Sequence, residues 1–378
     1  MSYCIQNLPD DLLIEVLVFI LEYPVFTSCT ASRVCRRWRD VLTDEALWER
    51  HYNGRFNRRK RRRSSFREEY AENHVLEASF TFGNFSARKS IQLDSTVTQV
   101  RLADDGSCIV GNNRGDVSIY RDLSTINSPT RSTSVPVQYG ESPVTCLYSS
   151  VGNVYAGFKS GCISFFSKDL ECMQTVKHGS SSITSVVELG TSFVATSADS
   201  LTRILDKTTL STISIYRSPD PCCAAALAES VYCVGGKDRR VRVYDSRCGS
   251  VPVSTTGLLA DWVLCVEGDL TALRASDRSV QLFDFRAGLH AFVNSMHCRK
   301  RLITKFKTDP GFRLVSCGLD GDILVSSLEV QTHMPINRVS EMARVYAEGD
   351  YLLSLDFDQT RIVCSGIAGN LDVLHFNN

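Results

Sequence analysis

Apolar positions follow two different rhythms along this chain. Near its start, Leu12, Leu13, Val16, Leu17 and Ile20 recur three and four residues apart, which marks one broad apolar face of a helix. Pro9, Asp10 and Asp11 suit the first turn of that helix, and Pro24 ends the pattern. A second helical stripe follows through Ala31, Val34, Trp38 and Leu42, with Arg33, Arg36, Arg37 and Arg39 mostly off it. Thr43 is placed to cap a third helix through Leu47 and Trp48, and Asp44 and Glu45 match the positive end of its dipole. Three helices in so short a stretch bury only a modest core and leave apolar surface for a partner.

From Val97 the period drops to two. Seven segments open alike: VTQVRL at 97, VTCLYS at 144, ITSVVE at 183, CCAAAL at 222, WVLCVE at 262, ITKFKT at 303 and LLSLDF at 352. Each leads into a second strand rich in small residues, a tight turn with Asp, Gly or Asn, and a third alternating strand, as in CIVGNNRGDVSIY and NVYAGFKSGCISFF. Four short strands in a unit of roughly 40 residues is the pattern of propeller blades. The seventh unit reads only as far as its third strand, Leu371 to Phe376, while an extra strand near 88–93 (RKSIQL) precedes the first. Pairing these two would close a seven-bladed ring and hide two strand edges.

Composition narrows the function. The 378 residues carry 42 basic and 42 acidic side chains, so no global field points to nucleic acid or membrane. No apolar run is long enough to span a bilayer. Fifteen cysteines are scattered without metal-ligand spacing, behind a start, MSYCIQNLPDD, that lacks the basic region of a secretory signal. They read as reduced thiols in the cytoplasm or nucleus. The one strong charge run is Arg58–Arg63 within RFNRRKRRRSSFREE; it serves as a solvated connector, an import signal or a patch for an acidic partner. Arg62, Arg63 and Ser64 resemble a site for a basophilic kinase, and Glu68 to Leu76 has helical composition.

The segments LPDDLLIEVL, VCRRW and ALWERHY, in that order and spacing, resemble the F-box, a helical motif that docks the Skp adaptor of cullin–RING (SCF) ubiquitin ligases. The resemblance implies an adaptor-binding set of Leu8, Pro9, Leu12, Leu13, Val16, Leu17, Val34, Cys35, Trp38, Leu42, Leu47 and Trp48. The intervening LEYPVFTSCTASR departs from the family pattern. The repeats resemble WD repeats: Leu205-Asp206, Tyr244-Asp245 and Phe283-Asp284 stand at the Trp-Asp position, and Asp199, Asp238, Asp277 and Asp320 at the turn aspartate. The Gly-His pair of that pattern is missing, so its hydrogen-bonded tetrad is expected to be incomplete.

The turns Lys237-Asp238-Arg239 and Ser276-Asp277-Arg278 match one another. WD-repeat receptors that read phosphorylated motifs place arginines similarly, although Asp-Arg is also a common filler of such turns. Trp262, opening an inner strand, is either a binding anchor or core. Histidines show no periodic placement, and the motifs of the common hydrolases and nucleotide-binding proteins are missing. The expected architecture is therefore a small all-α F-box bundle (4–52), a basic and helical linker (53–76) and an all-β seven-bladed WD-repeat β-propeller (77–378). The expected role is a non-catalytic substrate-recognition subunit with no cofactor or metal. Its partners would be a Skp-type adaptor, through it a cullin–RING ligase, and a protein substrate. A scaffold that directs no degradation, and a ribonucleoprotein component using Arg58–Arg63, are the other readings.

Overall fold

The computed structural model describes residues 13, 36, 40, 44, 45, 48, 49, 52 and 65–376, apart from short stretches. Those stretches are 122, 124–130, 135–141, 151, 219–220, 227–228, 237–239, 249–253, 258–261, 264–269, 275–278, 285–291, 298–302, 309–312, 330–337 and 347–350. The chain divides into two compact units, Met1–Ala78 and Ser79–Asn378, and the division falls within the helix Phe66–Phe82.

In the first unit Leu13, Arg36, Asp40, Glu45, Trp48, Glu49 and Tyr52 are helical. The helix Phe66–Phe82 starts two residues before the Glu68–Leu76 stretch and runs six beyond it. Ser65 sets its beginning: the Glu68 N–H donates to the Ser65 hydroxyl at 3.4 Å, and the Glu69 N–H to the Ser65 carbonyl at 3.1 Å. Glu68 and Glu69 add negative charge to the first turn.

In the second unit the described strands form seven four-stranded antiparallel sheets. Their inner strands are Val97–Leu102, Val144–Ser150, Ile183–Leu189, Pro221–Ala226, Trp262–Val263, Ile303–Thr308 and Leu352–Phe357. Consecutive inner strands lie side by side from the first sheet to the fifth, and from the sixth through the seventh back to the first. The outer strand of the seventh sheet is Ala87–Gln92, which pairs antiparallel with Asn370–His375 from Ala87↔His375 to Gln92↔Asn370.

The apolar core lies between neighbouring sheets. Val97 and Val100 meet Val363 and Val373. Ile109 and Val117 meet Val144 and Phe158, Tyr155 and Ile163 meet Ile183 and Phe193, and Val194 and Ile204 meet Tyr232 and Tyr244. Middle strands such as Asn153–Phe158 and Ser192–Ser197 are therefore buried on both faces and read as nearly continuous apolar or small residues. Outer strands such as Thr212–Arg217 are exposed.

One device recurs at the start of the inner strands. Six of them shift register between their first and third residues, at Val97/Gln99, Val144/Cys146, Ile183/Ser185, Pro221/Cys223, Ile303/Lys305 and Leu352/Ser354. In four of these the bypassed residue is a threonine. The Thr98 hydroxyl lies 3.1 Å from Gly111 O in its own sheet and 2.7 Å from Val144 O in the next; Thr145 reaches Gly157 O and Ile183 O at 3.0 and 2.5 Å. Thr184 reaches Pro221 O at 3.3 Å, and Thr304 reaches Leu352 O at 2.7 Å. The bulge turns each threonine toward the neighbouring inner strand, so a local irregularity joins one sheet to the next. Thr145→Val is expected to lower the stability of this unit by about 1 kcal/mol, because a half-buried hydroxyl and its carbonyl partners lose their bonds at constant volume. Denaturant unfolding measures it, and Thr145→Ser should recover most of the loss.

Second-strand glycines complete the junction. A Cβ on Gly157 would stand 2.7 Å from Ile183 Cγ2, and one on Gly111 would stand 2.6 Å from Val144 Cγ1. The small residues there are what let the next inner strand approach.

Candidate protein-interaction surfaces

In the first unit, aromatic contacts join the segment around Trp48 to the helix Phe66–Phe82. Trp48 lies 5.4 Å from Tyr70 between ring centroids, and Tyr52 lies 5.9 Å from Phe66. The Glu45 carboxylate accepts from the Ser65 hydroxyl at 2.6 Å and from the Phe66 N–H at 2.8 Å, so it caps the helix from a distant part of the sequence. Of the twelve residues assigned to adaptor docking, Leu13 and Trp48 are described, at 0% and 3% exposure. Both side chains are buried, and Trp48 meets Tyr70. Leu8, Pro9, Leu12, Val16, Leu17, Val34, Cys35, Trp38, Leu42 and Leu47 lie outside the described residues.

In the second unit, the turns between second and third strands are built by residues with positive φ. These are Gly115, Gly161, Gly321 and Gly369 at 97°, 83°, 79° and 88°, with Ser200 at 66° in the third sheet. The Gly161 N–H donates to Phe158 O at 3.1 Å, and a Cβ on Gly161 would stand 2.4 Å from Gly179 O. That turn therefore lies against the strand connection leading into the next sheet.

These turns present Arg114, Lys159 and Ile367 to solvent. Ile367 is 45% exposed and sits beside Tyr351, which is 47% exposed; the Ile367 N–H donates to Tyr351 O at 2.9 Å. The Arg114 guanidinium donates to Asp94 O at 3.1 Å. Lys237, Arg239 and Arg278 lie outside the described residues. Trp262 belongs to the inner strand Trp262–Val263 and pairs with Arg274, but its side chain is not among those described. Arg114, Lys159 and Ile367 do not share the Asp-Arg pattern of the two matching turns, so sequence alone does not single them out. In the sequence, Lys159, Lys237 and Ile367 stand at the same place in FKSG, GKDR and GIAG.

In the third sheet the turn aspartate gathers three partners, while Leu205 stands at the Trp position of the tetrad. Asp199 accepts from the Ser197 hydroxyl at 2.5 Å, the Leu201 N–H at 3.1 Å and the Arg203 guanidinium at 2.7 Å. Burial alone would raise the Asp199 pKa, but Arg203 and Ser197 hold it below the usual carboxylate range. Arg203, four residues after the aspartate, is itself buried beside it. Nearby His178 has its pKa depressed to about 4, first by burial and then by Arg203. Leu205 and Tyr244, at the Trp-Asp position, are buried, and Tyr244 Oη lies 3.1 Å from the Ser218 hydroxyl.

A second charged group gathers where the inner strands end. Asp356 pairs with Lys307, lies 3.6 Å from Arg101, and accepts from the Leu102 N–H at 2.8 Å. The Arg101 guanidinium lies 5.8 Å from the centre of the Tyr148 ring, and the Tyr148 hydroxyl lies 3.4 Å from Glu188, which pairs with Lys207. Burial lowers the pKa of Lys305, and the nearby Arg101 lowers it further.

The second-strand thiols Cys108, Cys233, Cys317 and Cys364 are buried. Burial pushes the pKa of Cys108 up strongly, and that of inner-strand Cys146 to about 12, which leaves both as neutral packing groups.

Residues 5–54 match the F-box-like family model. No curated protein matches the chain. Among solved structures, one chain from the crystal structure of a mitotic checkpoint complex superposes with a TM-score of 0.65 at 14% identity, covering 77% of this chain and 94% of that chain. At that identity the likeness concerns the fold alone, a WD40-type propeller-like arrangement of four-stranded sheets. This protein thus joins an F-box-like segment to a WD-like β fold. F-box domains as a group bind Skp-type adaptors, and propellers bind protein partners.

Proposed function

We propose that this protein is the substrate-recognition subunit of an SCF-type ubiquitin ligase. The F-box-like segment docks a Skp adaptor through the apolar set that opens with Leu8 and Pro9, and through it a cullin–RING ligase. Seven blades close into a ring whose turn rim holds the protein to be ubiquitinated. Arg114, Lys159, Tyr351 and Ile367 contribute to that rim, together with Lys237, Arg239, Arg278 and Trp262. The chain itself supplies no catalytic group: it works by raising the effective concentration of the client beside the transfer machinery. It would act in the cytoplasm or nucleus. The observation that carries this reading is the presence in one chain of an F-box-like match over residues 5–54 and a propeller-like fold.

Affinity purification from cells with the proteasome inhibited tests it. Skp and cullin should co-purify with ubiquitin-modified clients, and those clients should live longer when this chain is removed. Skp binding with unchanged client lifetimes would instead make the protein a scaffold. Nuclease-sensitive partners without Skp would make it a ribonucleoprotein component.

A further inference from the structure

The basic run and the cap of the helix Phe66–Phe82 meet at one residue, Ser65. In RRRSSF, Arg62 and Arg63 stand three and two residues before Ser65, and apolar Phe66 follows directly. That is the arrangement an arginine-directed kinase reads, with its acidic subsites taking the guanidinium groups. Ser64 has the same basic spacing, from Arg61 and Arg62, but lacks the apolar residue after it. Ser65 is half-buried and Glu45 is exposed, so the site lies at the surface of its unit. The Ser65 hydroxyl is held by one donated bond, 2.6 Å to Glu45 Oε1, and releasing it costs about one hydrogen bond.

We infer that Ser65 is a phosphorylation site, and that its phosphate displaces Glu45 from the start of the helix Phe66–Phe82. In the reaction, the Ser65 Oγ attacks the γ-phosphorus of ATP. The new Oγ–P bond replaces the bond to the bridging oxygen, which leaves with ADP, and the hydroxyl proton passes to the kinase. The product exchanges a donor for a group of roughly −1.5 to −2 charge. Glu45 then loses its 2.6 Å donor and faces a like charge in its place. Both anions compete for the Phe66 N–H, which now bonds Glu45 Oε2 at 2.8 Å, and for the positive end of the helix. The phosphate carries more charge and is covalently fixed at the cap position, so it takes that place. The helix keeps its cap while the Glu45 end of the segment Glu45–Tyr52 is released. The Trp48–Tyr70 and Tyr52–Phe66 ring contacts still join that segment to the helix. This reading does not depend on which adaptor the segment binds.

Incubating the purified full chain with the catalytic subunit of cyclic-AMP-dependent protein kinase and ATP, followed by mass spectrometry, tests it. Phosphate should appear on Ser65, vanish in Ser65→Ala and persist in Ser64→Ala. Glu45→Ala should be labelled roughly fivefold faster, the factor corresponding to about 1 kcal/mol of lost tie. The Trp48 amide, which donates to Asp44 O at 3.5 Å, should exchange its hydrogen faster after phosphorylation of the natural chain. Phosphorylation should leave that exchange rate unchanged in Glu45→Ala, where the tie is already gone. Label on Ser64 alone, equal labelling rates with and without Glu45, or a Trp48 amide indifferent to phosphorylation would each overturn the inference.

Discussion

Phe80→Ala should lower the stability of the unit Ser79–Asn378 by about 3–5 kcal/mol, the range for emptying a phenylalanine site in a core. Phe80 is 0% exposed. Its ring stacks on Phe376 with centroids 3.9 Å apart and planes 15° from parallel. The guanidinium of Arg313 lies 4.1 Å from its centre, and Arg313 is itself 2% exposed. Truncation therefore removes three contributions together: the buried apolar area, an aromatic pair, and a ring that meets a desolvated cation. Phe80→Leu refills most of the volume but offers no π face to Arg313, so it should cost clearly less. Denaturant midpoints of the two variants measure the difference. A loss under 1 kcal/mol for the alanine variant would mean that the stack contributes little.

The second large effect is expected at Asp356. Its carboxylate is 1% exposed and serves Lys307, Arg101 and the Leu102 N–H, joining the seventh sheet to the sixth and first. Asp356→Ala leaves two cations facing each other across a buried gap. Breaking a buried pair from one side costs about 3–5 kcal/mol. The lower end, roughly 3, is expected because the Lys307 and Arg101 side chains keep 27% and 25% of their exposure. Asp356→Asn retains an acceptor for Leu102 and should cost less.

Acid should narrow the gap between Asp356→Asn and the natural chain. Burial would raise the Asp356 pKa, but Lys307 and Arg101 hold it below the ordinary carboxylate value. Its contribution is therefore complete above the unfolded value of about 3.9 and is lost as pH falls through the lower folded value. Unfolding free energies of the two proteins should differ most at neutral pH and converge below about pH 4. A difference that stays constant well below pH 4 would contradict this charge-based assignment.

Much of the β fold is written in the chain's alternation, because a strand buried on both faces has few ways to look other than apolar. The repeated Val-Thr and Ile-Thr openings at 97, 144, 183 and 303 were equally visible. Their role was not, since a threonine that bridges two carbonyls needs a neighbouring sheet that no local pattern supplies. Arg203 was obscured for the same reason. Four residues after Asp199 it reads as an exposed strand cation, whereas the fold turns it inward to complete the turn. The helix Phe66–Phe82 shows little amphipathic periodicity, and its first turn is fixed by Glu45, twenty residues before Ser65. Its last turns are set by the burial of Phe80. For the candidate rim, the Asp-Arg turns drew attention because they repeat. Tyr351 and Ile367 stand out only once the structure places a loop residue beside a turn.

Under the proposed function the front segment docks a Skp adaptor through Leu8 and Pro9. The direct test is equilibrium binding of a purified Skp adaptor to the full chain and to a Leu8→Ala, Pro9→Ala double variant, with circular dichroism as a check on folding. The natural chain should bind, and the variant should lose binding while keeping its β signal and melting temperature. Binding retained by the variant, or no binding by the natural chain, would contradict it.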